Sequence, residues 1–195
     1  MRQLVVWIPD WPALVALADR PADTALAVFA KGVVLACTQQ ARANGVRRGM
    51  RRRDAQGRCP GLVVVDQRAE VDAKAFEQVL TLIDQFSPTA SLLRPGLAAL
   101  AVPEKFYGGE AEAAAILTEL LVEQGVWDVR IGIADGVFVA ELAARQAATP
   151  EAVIVPPSKN VDYLRDLPVE VLDIANAGSE KGAGLELVTL LRRLG

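Results

Sequence analysis

Apolar and polar positions along the chain fall into short blocks that alternate between strand-like and helix-like spacing. Residues 3–9 hold Leu4, Val5, Val6, Trp7 and Ile8 in an unbroken run, the composition of a buried strand. Asp10 and Pro12 then predict a helix over residues 11–19, with Asp10 as its N-cap and Pro12 in the first turn. Ala25–Ala30 and Val33–Thr38 read as two strands joined at Lys31-Gly32. A short helix, Gln39–Ala43, is stopped by Asn44-Gly45, and a second covers residues 51–58. Cys59-Pro60-Gly61 turns into a strand at Leu62–Val65. Residues 20–66 thus make one compact block.

The next stretch is longer and more regular. Val71, Ala75, Val79, Leu82 and Ile83 recur at helical spacing between Arg68 and Phe86, and Pro88 ends that helix. Ser91–Val102 predicts a tight hairpin around Pro95-Gly96. A loop at Phe106–Gly109 follows, then a helix at Glu110–Gln124 and a strand at Trp127–Ile133. A helix over residues 137–148 and a strand at Ala152–Val155 complete this region. Strand, helix, hairpin, helix, strand, joined by the N-terminal strand, predicts an α+β layer. In it an antiparallel sheet packs helices on one face, the split βαβ arrangement of a ferredoxin-like domain. Pro156-Pro157 marks a boundary. Beyond it come short helices at 159–166 and 169–174, a mobile glycine-rich stretch at 175–184 and an amphipathic helix at Leu185–Leu194. The abrupt end suggests a fragment of a longer protein.

Composition narrows the function classes. The chain has 195 residues, 52% of them hydrophobic and 23% charged, values of a globular protein. No apolar run approaches the roughly 20 residues that span a bilayer, and no signal peptide is evident. Two cysteines, Cys37 and Cys59, give neither a disulfide framework nor a metal motif, so a reduced, cytoplasmic protein is expected. The absence of histidine excludes Ser-His and Cys-His catalysis. No phosphate-binding loop or dinucleotide fingerprint occurs.

Charge adds one feature. The net charge is -3, yet Arg42, Arg47, Arg48, Arg51, Arg52, Arg53 and Arg58 crowd one stretch, with Asp54 the only acid among them. An arginine field on an acidic chain points to a polyanion or an acidic partner protein. Nucleic-acid phosphates and an acidic partner both stay open on this evidence, beside a merely solvated face. Trp7, Trp11 and Trp127 are expected in the core. Phe106-Tyr107 is expected as a packed loop rather than a base-stacking platform.

Several phrases resemble the Y-family, or translesion, DNA polymerases. Thr38-Gln-Gln-Ala-Arg-Ala-Asn-Gly-Val46 is similar to the fingers motif Asn-Tyr-x-Ala-Arg-x-x-Gly-Val, and Arg47-Arg-Gly-Met50 continues it. Val129-Arg-Ile-Gly-Ile-Ala134 resembles that family's Val-x-x-Gly-Ile-Ser strand. Phe86-Ser-Pro88 and the hairpin after it resemble the elements that precede its central acids. Trp-Ile-Pro-Asp-Trp-Pro, Arg-Pro-Gly-Leu and Phe-Tyr-Gly-Gly-Glu narrow the likeness to the divergent ImuB-type branch.

The resemblance implies a fold, a site and partners. The fold is a polymerase core: a ferredoxin-like palm at 1–19 and 67–157, a small fingers domain at 20–66 and the start of a helical thumb at 158–195. The family's two metal ions are held by an Asp on the first strand and an Asp-Glu pair on the hairpin. Matched position by position, these fall on Trp7, Gly96 and Leu97. The expectation is therefore a chain with no metal and no cofactor that is not an enzyme. It would act as a scaffold in damage-induced mutagenic translesion synthesis. Its partners would be DNA, the β sliding clamp, an ImuA-type RecA-like accessory protein and an error-prone C-family polymerase, mostly through regions beyond residue 195. DNA or partner contact would fall to Arg42, Arg47, Arg48, Arg51, Arg52 and Arg53. The fingers tyrosine that meets the incoming triphosphate is matched by Gln39. Two alternatives stand beside this: an active polymerase with a displaced metal site around Asp10, and a docking module that never touches DNA.

Overall fold

A computed structural model describes residues 1–171. The predicted mobile stretch at 175–184 and the helix at 185–194 lie outside the described residues. In chain order the elements are β1 (Arg2–Trp7), α1 (Trp11–Leu17), β2 (Leu26–Ala30), β3 (Val33–Cys37), α2 (Gln39–Ala43), α3 (Arg52–Arg58), β4 (Val63–Asp66) and α4 (Ala69–Phe86). After them come β5 (Ser91–Arg94), β6 (Leu97–Ala101), α5 (Glu104–Tyr107), α6 (Glu110–Glu123), β7 (Arg130–Asp135), α7 (Val137–Gln146), β8 (Val153–Ile154) and α8 (Asn160–Arg165). The described residues form two compact units, one of Met1–Trp7 with the described residues from Asp84 onward, the other of Ile8–Ile83.

The first unit is built on a five-stranded sheet in the order β5-β6-β1-β7-β8. β1 lies between β6 and β7, antiparallel to both, while β8 runs parallel to β7. Leu4, Val5 and Val6 are all fully buried. Since neighbouring side chains in a strand point to opposite faces, burial of all three means that both faces of β1 are covered. The sequence reading placed helices on one face only; the unbroken apolar run of β1 is the signal for two. On one face Val5, Leu97, Ala99 and Ala134 pack against Val139, Ala140, Ala143 and Ala144 of α7.

That helix sits unusually close to the sheet. A Cβ placed on Gly132 would lie 2.2 Å from the Ala140 carbonyl oxygen and 2.2 Å from the Ala144 nitrogen. Only glycine in β7 facing a stripe of alanines permits this approach. The β5–β6 hairpin turns through Pro95-Gly96, with Arg94 opposite Leu97 and Gly96 at φ 86°. Proline first and a left-handed glycine second is the type II arrangement, as expected from the dipeptide.

The second unit holds a three-stranded sheet, β3-β2-β4, antiparallel on one side of β2 and parallel on the other. β2 too is buried on both faces. Ala27, Phe29, Val34 and Cys37 pack with Ala41, Ala55 and Cys59 on the side of α2 and α3. Leu26, Val28 and Ala36 pack with Ala13 and Ala16 of α1 on the other. Lys31 and Gly32 both have positive φ, the conformation of a two-residue hairpin turn. Trp11 closes the α1 side. Its ring meets Phe76 edge-on at 5.2 Å, and its Nε1 donates to the Asp72 carbonyl over 2.8 Å.

Candidate nucleic-acid interface

In the second unit the arginine stretch hangs on a local scaffold that the sequence dictates. Thr38 caps α2: its Oγ1 accepts from the Ala41 and Leu26 amides and donates to the Thr24 carbonyl. One hydroxyl thereby joins helix start, strand start and the preceding turn. Gly45, at φ 86°, ends α2 and sends the chain into the arginine loop. Ala55 is buried, so α3 presents its remaining residues to solvent.

The arginines then differ in what holds them. Arg42 ion-pairs with Asp10. Arg52 pairs with Asp66 at 2.8 Å and lies over the Phe29 ring at 5.3 Å. Arg47 and Arg48 instead donate to backbone carbonyls, Arg47 to Arg42 and Val46, Arg48 to Leu35 over 2.6 Å. A carbonyl orients a guanidinium and leaves its charge uncompensated. Arg51, Arg53 and Arg58 are exposed, and no carboxylate lies within ion-pair distance of them among the described residues. Five uncompensated guanidinium groups therefore share one short segment.

Asp10 does something other than cap α1. It adopts the left-handed conformation, φ 52°, and makes no side-chain cap. Its Oδ1 accepts from the Cys37 amide over 3.1 Å, and its Oδ2 takes Arg42. The carboxylate thus fastens the start of α1 to β3 and α2. The motif residue Arg42 is held by that carboxylate, a pairing across 32 positions that no local sequence rule reveals.

The first unit carries a second charged constellation, at the end of β1. Trp7 stands opposite Leu97 on β6 and Arg130 on β7. The guanidinium carbons of Arg130 and Arg145 lie 5.3 and 4.6 Å from the Trp7 ring centre. Glu141, buried on α7, accepts from Arg94 over 2.6 Å and from Arg145 over 2.7 Å. Arg130 pairs with Asp128 at 2.9 Å. The sequence reading missed this cluster. The Glu141–Arg145 spacing of four within a helix was its one local signal.

Here the residues do not fit a pair of metal ions. Trp7, Gly96 and Leu97 offer no side-chain oxygen, and guanidinium groups surround Trp7. Among the described residues no group of three or more cysteines and carboxylates is placed to hold a metal. Both Asp10 oxygens are engaged, which does not suit a displaced metal site. Two aromatic expectations also change. Trp127 is 75% exposed, since the turn at Gly125 carries it out of the sheet before β7 begins at Arg130. Tyr107 stacks on Phe86 at 4.3 Å, and its hydroxyl donates to the Phe86 carbonyl, but Phe106 is exposed.

Residues 6–145 match the model of the impB/mucB/samB family. The chain belongs to that family. Within its reach, DNA polymerase IV 2 of Mesorhizobium japonicum is 31% identical over 144 residues, covering 72% of this chain and 34% of that protein. DNA polymerase IV of Ectopseudomonas mendocina is 27% identical over 181 residues, covering 92% of this chain and 49% of its own length. The chain thus spans half or less of these two relatives. Among solved structures, a Dbh ternary complex superposes with a TM-score of 0.76 at 22% identity, over 100% of this chain and 57% of that one. A DinB family error-prone DNA polymerase from Sulfolobus solfataricus gives 0.76 at 20% identity, over 100% and 56%. The α+β fold is that of a Y-family polymerase core.

The two polymerase relatives correct one expectation. They are named as polymerases, which are enzymes. The reading of the chain as not an enzyme is overturned. It rested on matching three positions, Trp7, Gly96 and Leu97, along one dimension. At such identities position matching does not establish loss of an activity.

Proposed function

We propose that this chain is the DNA-binding core of a translesion-synthesis protein, and that it grips nucleic-acid phosphates through the arginine face of its second unit. The carrying observation is the set Arg47, Arg48, Arg51, Arg53 and Arg58, whose charges no carboxylate neutralises. Arginine matches phosphate in geometry and charge, and a run of such groups gives sequence-independent affinity. Arg42 and Arg52 flank this face, partly neutralised by Asp10 and Asp66. In this reading residues 1–19 and 67–157 are palm, residues 20–66 fingers, and residues 158–195 begin a thumb.

The ImuB-type phrases support a finer assignment. The chain would work on the bacterial nucleoid in damage-induced mutagenesis, with the β sliding clamp, an ImuA-type RecA-like protein and an error-prone C-family polymerase as partners. Primer-template binding tests the core proposal. Replacing Arg51, Arg53 and Arg58 together by Gln should weaken binding at least about tenfold in moderate salt and flatten its salt dependence. Unchanged affinity and salt slope would refute it and favour an acidic protein partner. Co-purification of the full-length parent with each named partner tests the finer assignment.

A further inference from the structure

The first unit holds an aromatic surface that the arginine face does not explain. Trp127 sits in the loop between α6 and β7 with 75% of its surface exposed, whereas Trp11 is buried and Trp7 half-buried. An indole left in water forgoes most of the stabilisation that burial would bring, so its place is not a packing requirement. The same strand end carries cations. Arg130, three residues on, ties Asp128 through Nε and Nη2 and leaves Nη1 free of hydrogen bonds. Its guanidinium lies over Trp7, flanked there by Arg145. Arg94 joins the cluster through Glu141.

An exposed ring three residues from an arginine that keeps an unbonded Nη1 suits single-stranded nucleic acid. The ring stacks on an unpaired base and the unbonded Nη1 of Arg130 meets a flanking phosphate. Paired bases inside a duplex offer no free face to a loop residue, which selects an unpaired segment. We infer that Trp127 is a stacking platform for an unpaired base of single-stranded DNA, with Arg130 at the neighbouring phosphate. This rests on the nucleic-acid reading above and adds a second contact region of different chemistry.

The test uses the whole chain and a fluorescein-labelled oligothymidylate of about 12 nucleotides. Anisotropy measures affinity, and intrinsic tryptophan fluorescence measures stacking. Binding should quench the emission of Trp127. Trp127→Ala should abolish that quench and weaken binding about 5- to 100-fold, while Trp127→Phe keeps most of the affinity. Phe106→Ala, which removes the other exposed ring, should change neither. Binding without quenching, or wild-type affinity in Trp127→Ala, would overturn the stacking role and leave the arginine face standing. No binding of oligothymidylate or primer-template by the wild-type chain would overturn both readings together.

Discussion

Two arginine-rich regions can be set side by side, and their difference lies in where the counter-charges are. At the end of β1, Arg94 and Arg145 converge on buried Glu141, and Arg130 holds Asp128. Around α3, Arg47 and Arg48 lean on carbonyls, and Arg51, Arg53 and Arg58 meet no acid. The first arrangement matches its guanidinium groups with carboxylates, Arg130 keeping only Nη1 unbonded; the second directs its charge outward. Counting arginines would rank the regions by density alone. The partner of each guanidinium decides whether it stabilises the chain or waits for an anion.

The comparison breaks most visibly at Glu141. Glu141→Ala removes the carboxylate that Arg94 and Arg145 share in a partly buried site. Breaking such a pair should cost about 3–5 kcal/mol, read by urea denaturation. A loss below about 1 kcal/mol would mean that water already satisfies those arginines.

Gly132→Ala sharpens the picture of the same unit. The added methyl meets backbone atoms of α7, so the helix must shift, at about 1–3 kcal/mol. The arginine cluster rides on that helix, so the Trp7 fluorescence should change as well.

On the other side, Arg51, Arg53 and Arg58 replaced by Gln should leave stability within about 0.5 kcal/mol of wild type. The slope of log affinity against log salt on duplex DNA should fall by about 2.7, at 0.9 per lost phosphate contact. A large loss of stability would move this face to the structural side of the comparison. Asp10→Asn lies between the two. The Cys37 amide keeps an acceptor, while Arg42 loses its ion pair and joins the free charges. Stability should drop by less than about 1 kcal/mol, and DNA affinity should rise slightly in gel-shift titration.

The smallest effect concerns Asp72, a buried acid of the second unit whose Oδ2 has no hydrogen-bond partner. Burial holds its carboxyl above the usual carboxylate range. The folded state thus binds the proton more readily than the unfolded chain. Asp72 costs stability above its folded-state pKa, and that cost fades as pH falls towards the unfolded value. Asp72→Asn should raise the melting temperature by roughly 2 °C near pH 8, with the gain vanishing in acid. A gain independent of pH would show that the Asp72 charge is not the cause.

Much of the fold was written in the one-dimensional pattern. Gly96, Gly32 and Gly45 stand at turns because glycine takes a positive φ without strain. The helix at 69–86 followed from its spacing and from Pro88. The arginine field, too, was visible as a count. What the sequence could not show was pairing at a distance. Asp10 reads locally as a cap, and only the folded chain turns its carboxylate towards Cys37 and Arg42. Nothing local marks Glu141 as the partner of Arg94, which the β5–β6 turn brings to it across 47 positions. Trp127 reads as core by composition, and the turn at Gly125 puts it in water. Local propensity and period fix elements and turns, because they act between neighbours. Which charge is neutralised and which ring is exposed depends on contacts that only the packed sheets create.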